Sequence, residues 1–278
     1  MLDVKWHAER LAGIHFHRKA LYPPALTPRR ANMGFSDGLD YSFDVPALVE
    51  FKHRHPHIAG SVIFKAAMAL VNVARTKHTH ALFANLEAAR SSMPFWPDTF
   101  RHINSTNGTT LADLDASDVS GPTMNGVINL IPVERCEKVL AFLNRVQSDQ
   151  IELTKHAHAP WRHIIKALND QHPGEYAGEM LPNTVRAQFL SWVPGLLGEY
   201  EKIRVERMSI RTAQGLVIVA SLGGEKGTEY KVTLRWDVAN YSAEEAKAFI
   251  KDLEATVRWL MEEYNWDWPV RICLGMGR

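Results

Sequence analysis

The sequence predicts a layered α/β domain in which helices cover the faces of a mixed β-sheet. Helical and strand-like patterns alternate in the first half of the chain, and strand-like segments cluster in the second half. That order of elements is typical of a sheet flanked by helices. The clearest stretch is residues 127–133, an apolar run typical of a buried strand, followed by a helical stripe that begins at Val139.

The first half is predicted to contain one long buried helix, residues 62–75. This segment is apolar on nearly every side and its only charges are Lys65 and Arg75, so more than one of its faces should be buried. Ser61 is the expected N-cap. The other predicted elements are a helix at 5–12, an extended proline-containing segment at 21–30, an edge strand at 39–43, a helix at 45–53 and a strand at 82–88.

The second half is predicted to end in a long helix, residues 242–264, whose first turn carries a capping box formed by Ser242 and Glu245. Residues 91–120 are polar and lack periodicity, which predicts a long surface loop. The remaining predicted elements are helices from 139 and at 163–169, a loop at 171–182, and strands at 184–193, 203–208, 216–221 and 230–236.

The charge and cysteine content exclude several classes of protein. The 32 basic and 31 acidic side chains give a formal net charge of +1, so no overall field favours nucleic acid or an anionic membrane. Two cysteines are too few for a disulfide scaffold, and we interpret Cys136 as a structural thiol. The N-terminal segment carries charges where a secretion signal has an apolar core, which predicts a cytoplasmic protein without a membrane span.

The 13 histidines occur mostly in H-x-H pairs, a spacing that can suit a metal ion on a strand. Only the pair of His78 and His80 lies beside a predicted strand, and no cysteine or carboxylate cluster completes a set of ligands. The sequence therefore predicts no metal site and no cofactor. A nucleophile elbow and a phosphate-binding loop are also missing from the sequence, so no catalytic residue is assigned.

Several segments resemble, in order, elements of the C-terminal half of the condensation domains of nonribosomal peptide synthetases, in the version found in fungi. VKWHAERLAG (residues 4–13) resembles the tryptophan-containing helix that starts that half. SVIFKAAMALVNVAR (residues 61–75) resembles the buried helix of the family. ALFANLEAAR (residues 81–90) resembles the strand that ends in a Gly-Arg element, with Ala89 in place of the glycine and Arg90 matching the arginine.

Two further elements follow in the same register. GPTMN (residues 121–125) resembles the G-x-F-x-N-T element of the family, with Thr123 at the aromatic position and Gly126 at the threonine. HAHAPW (residues 156–161) resembles the H-x-x-x-P-F element, with Trp161 at the phenylalanine. The final strands and the closing helix also agree in order, so the resemblance extends over nearly the whole chain.

The resemblance implies the chloramphenicol acetyltransferase-like fold, an α/β lobe with a mixed β-sheet flanked by helices. In the family, two such lobes form a V around a tunnel that carrier-bound thioesters enter from both sides. The family's chemistry depends on an HHxxxDG motif in the N-terminal lobe, and this sequence contains no such motif. The substrate-tunnel positions that the resemblance implies are Asn125 and Arg90, and Trp192 is added from the tryptophans of the second half.

Three functions remain open at this point. The chain can be a truncated condensation-domain-like protein that forms one side of an acyl or peptidyl substrate tunnel, either as a product of truncation or together with a partner lobe. It can be a standalone enzyme that cyclises, rearranges or acylates a small natural product as a homo-oligomer. It can also be a noncatalytic binding lobe. We expect a single unit over residues 1–278, with an N-terminal crossing segment at 1–60 and the α/β core at 61–278.

Overall fold

A six-stranded mixed β-sheet with helices on both faces forms the fold, in a computed structural model that describes residues 2–24, 36–88, 124–193 and 215–275. The strands are β1 (Ser36–Asp44), β2 (His80–Ala88), β3 (Met124–Pro132), β4 (Gln188–Trp192), β5 (Leu216–Gly223) and β6 (Glu229–Asp237). The helices are α1 (Leu2–Arg10), α2 (Ala47–Arg54), α3 (Gly60–Thr76), α4 (Val139–Lys155), α5 (Trp161–Gln171), α6 (Met180–Ala187), α7 (Ala243–Met261) and α8 (Arg271–Gly275). Short 3-10 helices cover Ile14–Ala20, Ala177–Glu179 and Glu263–Asn265. The predicted α/β class is confirmed.

The strand order is β1-β6-β5-β4-β2-β3. β4 runs parallel to both β2 and β5, and the other neighbouring pairs are antiparallel. β1 is an edge strand, as its alternating pattern predicted, and β3 forms the opposite edge. None of the helices in the part of the chain described is both long and apolar enough to cross a bilayer.

The larger core lies between the sheet and the helices α3, α4 and α7. Thirteen of the 17 residues of α3 are buried, which confirms the prediction of a helix covered on more than one face. The helix begins at Gly60 after Ala59, so Ser61 lies in its first turn and does not cap it. Glycine suits this start because a Cβ at position 60 would lie 2.9 Å from the side chain of Leu222.

A second core covers the opposite face of β2 and β3. There, Leu82, Ala84 and Ile128 pack against apolar side chains from α1, α5, α6 and the 3-10 helix Ile14–Ala20. Alternate residues of β2 thus face different cores, since successive side chains of a strand point to opposite faces. Two tightly packed faces hold β2 and β3 in a defined position, which matters for the site described below.

The region around α6 corrects the sequence analysis. Residues 171–182 were predicted as a loop and 184–193 as a strand, but α6 occupies Met180–Ala187 and only Gln188–Trp192 form a strand. Pro182 fits the first turn of a helix, where its missing N–H costs nothing. Thr184 favours a strand by propensity, yet it is buried inside the helix and its hydroxyl donates to the carbonyl oxygen of Met180 at 2.6 Å.

Two helices of the second half, α4 and α7, agree with the predictions from the sequence. α7 begins after Ser242, and both hydrogen bonds of the capping box with Glu245 are present. Cys136 is exposed just before α4 and is not packed in the core, which does not support its interpretation as a structural thiol. The backbone N–H of Val139, where α4 begins, donates to the carbonyl oxygen of Trp268. The predicted loop at 91–120, the predicted strand at 203–208 and the predicted extended segment beyond residue 24 lie outside the described residues.

Candidate functional site

Segments that resemble family motifs meet at one corner of the fold, beside the start of β3. The side-chain amide of Asn125 donates to the carbonyl oxygen of Ala157 at 2.5 Å and lies 3.4 Å from that of Ala159. The indole N–H of Trp161 donates to the carbonyl oxygen of Gly126 at 2.6 Å. These bonds tie the first residues of β3 to the segment between α4 and α5.

The same corner holds α1 through His156. Its Nδ1 lies 2.7 Å from a carboxylate oxygen of Asp3, and the ring of Trp6 stacks on the imidazole with centroids 4.3 Å apart. The carbonyl oxygen of His156 accepts a hydrogen bond of 2.8 Å from Nε2 of His7. Burial is the main reason that the pKa of His7 lies below its usual value, so this ring is held in its neutral form.

The corner is closely packed. A cavity of about 10 Å³ remains between Asn125, Gly126, Trp161 and the side of α1, lined further by Leu11 and Ile164. That volume approaches the room needed for one water molecule. Within the part of the chain described here, Asn125 therefore acts as a hydrogen-bonding tether, and its place on a substrate tunnel stays a prediction.

A buried polar network lies next to this corner, between α3, α4 and the edge of the sheet. The ammonium group of Lys65 donates to Oδ1 of Asn129 at 2.9 Å and to the side-chain oxygen of Gln150. The amide of Asn129 in turn donates to Oδ1 of Asn85 at 2.5 Å. Burial lowers the pKa of Lys65 to about 8, while the carboxylate of Glu87 opposes that shift.

The network reaches the surface at Glu87. This half-buried carboxylate accepts hydrogen bonds from the side-chain amides of Asn85 and Gln150, the second at 2.8 Å. Glu87 and Asn125 are direct cross-strand partners in the β2–β3 pair, so the network and the packed corner meet at one end of the sheet. Lys65 itself is too deeply buried to touch a substrate. Among the described residues of this network, the half-buried Glu87 offers a carboxylate that can accept hydrogen bonds.

The three residues predicted to line a substrate tunnel do not lie together in the described structure. Asn125 lies at the corner just described. Trp192, the last residue of β4, packs against the core side of the sheet, with ring centroids 6.0 Å from Phe64 and 6.3 Å from Tyr230. Arg90 lies outside the described residues. The Lys65 network was not predicted from the sequence, although a lysine inside an otherwise apolar buried helix was the signal that could have revealed it.

A larger depression lies on the sheet itself. It has a volume of about 610 Å³ and covers parts of β1, β5 and β6. Its lining mixes apolar and polar side chains, among them Asp40, Val219, Ser221 and Lys231. Small-molecule sites usually enclose roughly 300–1,000 Å³. This depression therefore has the size of a ligand site, which the packed corner lacks.

Comparisons with solved structures identify the fold. The chain matches the X-domain from teicoplanin biosynthesis with a TM-score of 0.67 and 14% identity, over 95% of this chain and 55% of that one. It matches a four-domain nonribosomal peptide synthetase bound to AMP and glycine with a TM-score of 0.61 and 13% identity, over 97% of this chain and 20% of that one. The chain has a condensation-domain-like fold.

The same fold appears in the starter condensation domain of rhizomide synthetase, with a TM-score of 0.56 and 10% identity, over 84% of this chain and 46% of that one. The chain thus spans about half the length of the X-domain and of this condensation domain. No family model matches the sequence, and no curated protein does.

Proposed function

We propose that this chain acts as one lobe of a condensation-type site in nonribosomal peptide biosynthesis, where it forms one side of an acyl or peptidyl tunnel. The observation that carries the proposal is the pattern of coverage: 95% of this chain aligns with only 55% of the teicoplanin X-domain. The resembled family places its HHxxxDG motif in the other lobe, and this sequence contains none. The reacting base would therefore come from a second lobe, on the same polypeptide or on another chain.

The described residues suit a supporting role in such a site. The Lys65 network and the Asn125 corner fix the end of β2 and the start of β3, which is the end of the sheet where Glu87 and Asn125 pair. Positioning of two reactants accounts for a large part of the rate of acyl transfer. A rigid wall with a few hydrogen-bonding groups supplies that positioning without supplying a base.

The test is reconstitution of acyl transfer. The purified chain is mixed with an acyl thioester on a phosphopantetheine-bearing carrier protein and with an amine acceptor, and the amide product is measured by mass spectrometry. We expect product only when a separately produced HHxxxDG-bearing lobe is added, and none when the second histidine of that motif is replaced by alanine. Turnover by the chain alone, or failure of the two lobes to associate on size exclusion, would argue against the proposal.

A noncatalytic binding lobe is the second candidate. The observation that favours it is the match to the X-domain in its complex with OxyB, with a TM-score of 0.67 and 14% identity, over 95% of this chain and 53% of that one. In that case the chain would recruit a partner protein to a carrier-bound substrate. Reconstitution would then give no product with any added HHxxxDG lobe, while the chain would still bind an aminoacyl carrier protein in a titration.

A standalone enzyme remains the third candidate, supported by the depression of about 610 Å³ on the sheet. Such an enzyme would act on a small natural product as a homo-oligomer. The mass of the chain in solution separates this candidate from the first, because a monomer has no second subunit to close the depression. Val219→Trp would then fill the depression and abolish turnover in the oligomer.

A further inference from the structure

Three histidines from two distant parts of the chain meet beside the first residue of β2. His17 comes from the 3-10 helix Ile14–Ala20, and His78 and His80 surround the point where β2 begins. One ring nitrogen from each of the three lies within 4.8 Å of the other two. The ring centroids of His17 and His80 are 4.0 Å apart, and those of His17 and His78 are 5.2 Å apart.

The backbone holds these rings together from both sides. Lys77 ends α3 in a left-handed turn with φ 58°, which directs the chain through His78 into β2. Leu21, directly after the 3-10 helix, forms a parallel bridge with Leu82 of β2. His17 lies at a kink within the 3-10 segment Ile14–Ala20, shortly before that bridge. The cluster is therefore held between this kink and the start of β2, beside the packed second core.

Imidazole is a common metal ligand because the neutral ring keeps a free lone pair on one nitrogen, which is the atom that coordinates the ion. Three such nitrogens lie near one point here.

Two further observations support metal binding by these histidines rather than a chance cluster. Nδ1 of His17 is buried and has no hydrogen-bond partner in the described structure, an unfavourable state that a bound ion would relieve. Nδ1 of His80 pairs with the hydroxyl of Thr79 at 2.9 Å. An outer partner on one nitrogen fixes the ring and leaves the other nitrogen for the metal.

We propose that His17, His78 and His80 bind one zinc ion, with water as the fourth ligand. Nitrogen ligands at Zn–N distances of about 2.0–2.1 Å lie roughly 3.3 Å apart in a tetrahedron. The nitrogens here lie within 4.8 Å, so ring rotations that shift each atom by about 1 Å close the site. One such rotation breaks the long 3.2 Å hydrogen bond from the backbone N–H of His80 to Nδ1 of His78.

The ligand set selects the class of metal. Three imidazoles without a thiolate suit zinc, copper, nickel or iron, whereas magnesium and calcium prefer oxygen ligands. Three protein ligands leave one coordination position open, as in sites where a bound water or a substrate atom completes the shell. The ion would also join the 3-10 helix to β2 and stabilise the second core.

A neighbouring cluster provides an internal comparison. His15, His172 and Glu175 also offer ligand atoms within 4.8 Å of one another. Here, however, Nε2 of His15 already lies in direct contact with the carboxylate of Glu175. A metal ion would have to displace that contact, so the three-histidine cluster is the stronger site.

The test measures zinc binding by the full chain without an affinity tag, after chelator treatment. Competition with a chromophoric chelator gives stoichiometry and affinity, and cobalt substitution gives the visible absorption of a tetrahedral site. We expect one zinc per chain and a higher unfolding temperature with zinc. Loss of an outer partner of a metal ligand typically weakens metal binding by roughly 10- to 100-fold. His17→Gln and His80→Gln remove a ligand itself, so each should weaken zinc binding by at least that much. The exposed control His163→Gln should bind like the wild type.

Circular dichroism of each metal-free variant checks that it is folded. If His17→Gln does not fold, His80→Gln and Thr79→Val carry the test, since Thr79 holds the ring of His80 from outside the cluster. The proposal is overturned if the wild type shows no saturable binding, or if both cluster variants bind as tightly as the wild type. It is also overturned if His172→Gln abolishes binding while His80→Gln does not, because the ion then belongs to the neighbouring cluster.

Discussion

Trp161 bonds to Gly126 and leaves little room for a side chain at that position. The indole N–H of Trp161 donates to the carbonyl oxygen of Gly126 at 2.6 Å, and a Cβ on Gly126 would lie 3.3 Å from Cζ2 of the same ring. These are the two positions where the chain has glycine instead of the threonine, and tryptophan instead of the phenylalanine, of the elements it resembles. The larger ring occupies the space that a threonine side chain needs, so the two departures are physically coupled.

This coupling predicts a non-additive pair of substitutions. Gly126→Thr should destabilise the chain by about 1–3 kcal/mol because the new side chain overpacks against Trp161. Trp161→Phe should cost about 1–2 kcal/mol, chiefly by leaving the Gly126 carbonyl without its donor. The double variant should lose less unfolding free energy than the sum of the two single losses, by about 0.5–2 kcal/mol.

Urea unfolding of the three variants measures this difference. Gly223→Thr is the matched control, since it also lies on a strand and a Cβ there meets nothing within 4 Å. Its effect should add to that of Trp161→Phe. Strict additivity for Gly126→Thr and Trp161→Phe would show that the two departures are independent.

The low pKa of Lys65 predicts that the wild type gains stability relative to Lys65→Met in mild alkali. Its pKa is about 8 in the folded chain against 10.5 when exposed, so the unfolded chain binds more protons between these two values. The free energy of unfolding of the wild type should therefore increase relative to Lys65→Met as the pH rises from about 8 to about 10.5, by about 1–3 kcal/mol. Urea unfolding at pH 7.5, 9 and 10 measures the difference.

Lys166→Met serves as the matched control for that series, because it removes a lysine whose side chain lies at the surface. At pH 7.5, Lys65→Met also leaves the amide oxygens of Asn129 and Gln150 without their donor. A wild-type advantage that shrinks with rising pH would contradict the low pKa of Lys65.

His7 predicts a loss of stability in mild acid. Burial lowers its pKa below 6.5, so the unfolded chain takes up a proton that the folded chain resists. The stability contribution of the neutral ring is complete above pH 6.5 and declines as the pH falls below that value. His7→Gln should therefore lose less stability than the wild type between pH 7.5 and 5.5 in urea unfolding, with the exposed His163→Gln as the matched control. Parallel curves for wild type and His7→Gln would contradict this assignment.

The capping box of α7 predicts a local effect. The Ser242 hydroxyl accepts a hydrogen bond from the backbone N–H of Glu245 at 3.2 Å, and the Glu245 carboxylate accepts one from the backbone N–H of Ser242 at 2.8 Å. Ser242→Ala should destabilise the chain by about 1 kcal/mol. Glu244→Ala removes a neighbouring acidic side chain outside the box and should cost less in the same thermal unfolding measurement. An equal loss from both would mean that the charge near the helix start matters and the cap does not.

Local patterns were sufficient for elements whose burial and caps lie within one segment. The apolar positions around α3 and the capping box of α7 predicted both helices, because periodicity and capping act over a few residues. They failed at α6, where the strand preference of Thr184 is overridden by burial of the helix against β2 and β4. Local sequence patterns also could not predict the order of the strands in the sheet, because parallel partners such as β2 and β4 are far apart in the chain.

The candidate site shows the same division. The sequence marked Asn125 through its resemblance to a family motif. It showed the H-x-H pair of His78 and His80 but predicted no metal site, because no third ligand lies near the pair in the sequence. It could not reveal that Lys65 bonds to Asn129, or that Asn125 tethers Ala157, since these partners meet only when α3 and α4 pack on β3.

By itself, the sequence determined the α/β class, the buried helix and the residues that resemble a condensation domain. Only the tertiary structure decided that His17 completes a cluster with His78 and His80. The reason is physical: amphipathic periodicity records which face of each element is buried, whereas the packing of those faces decides which polar side chains come within a bond's length of one another.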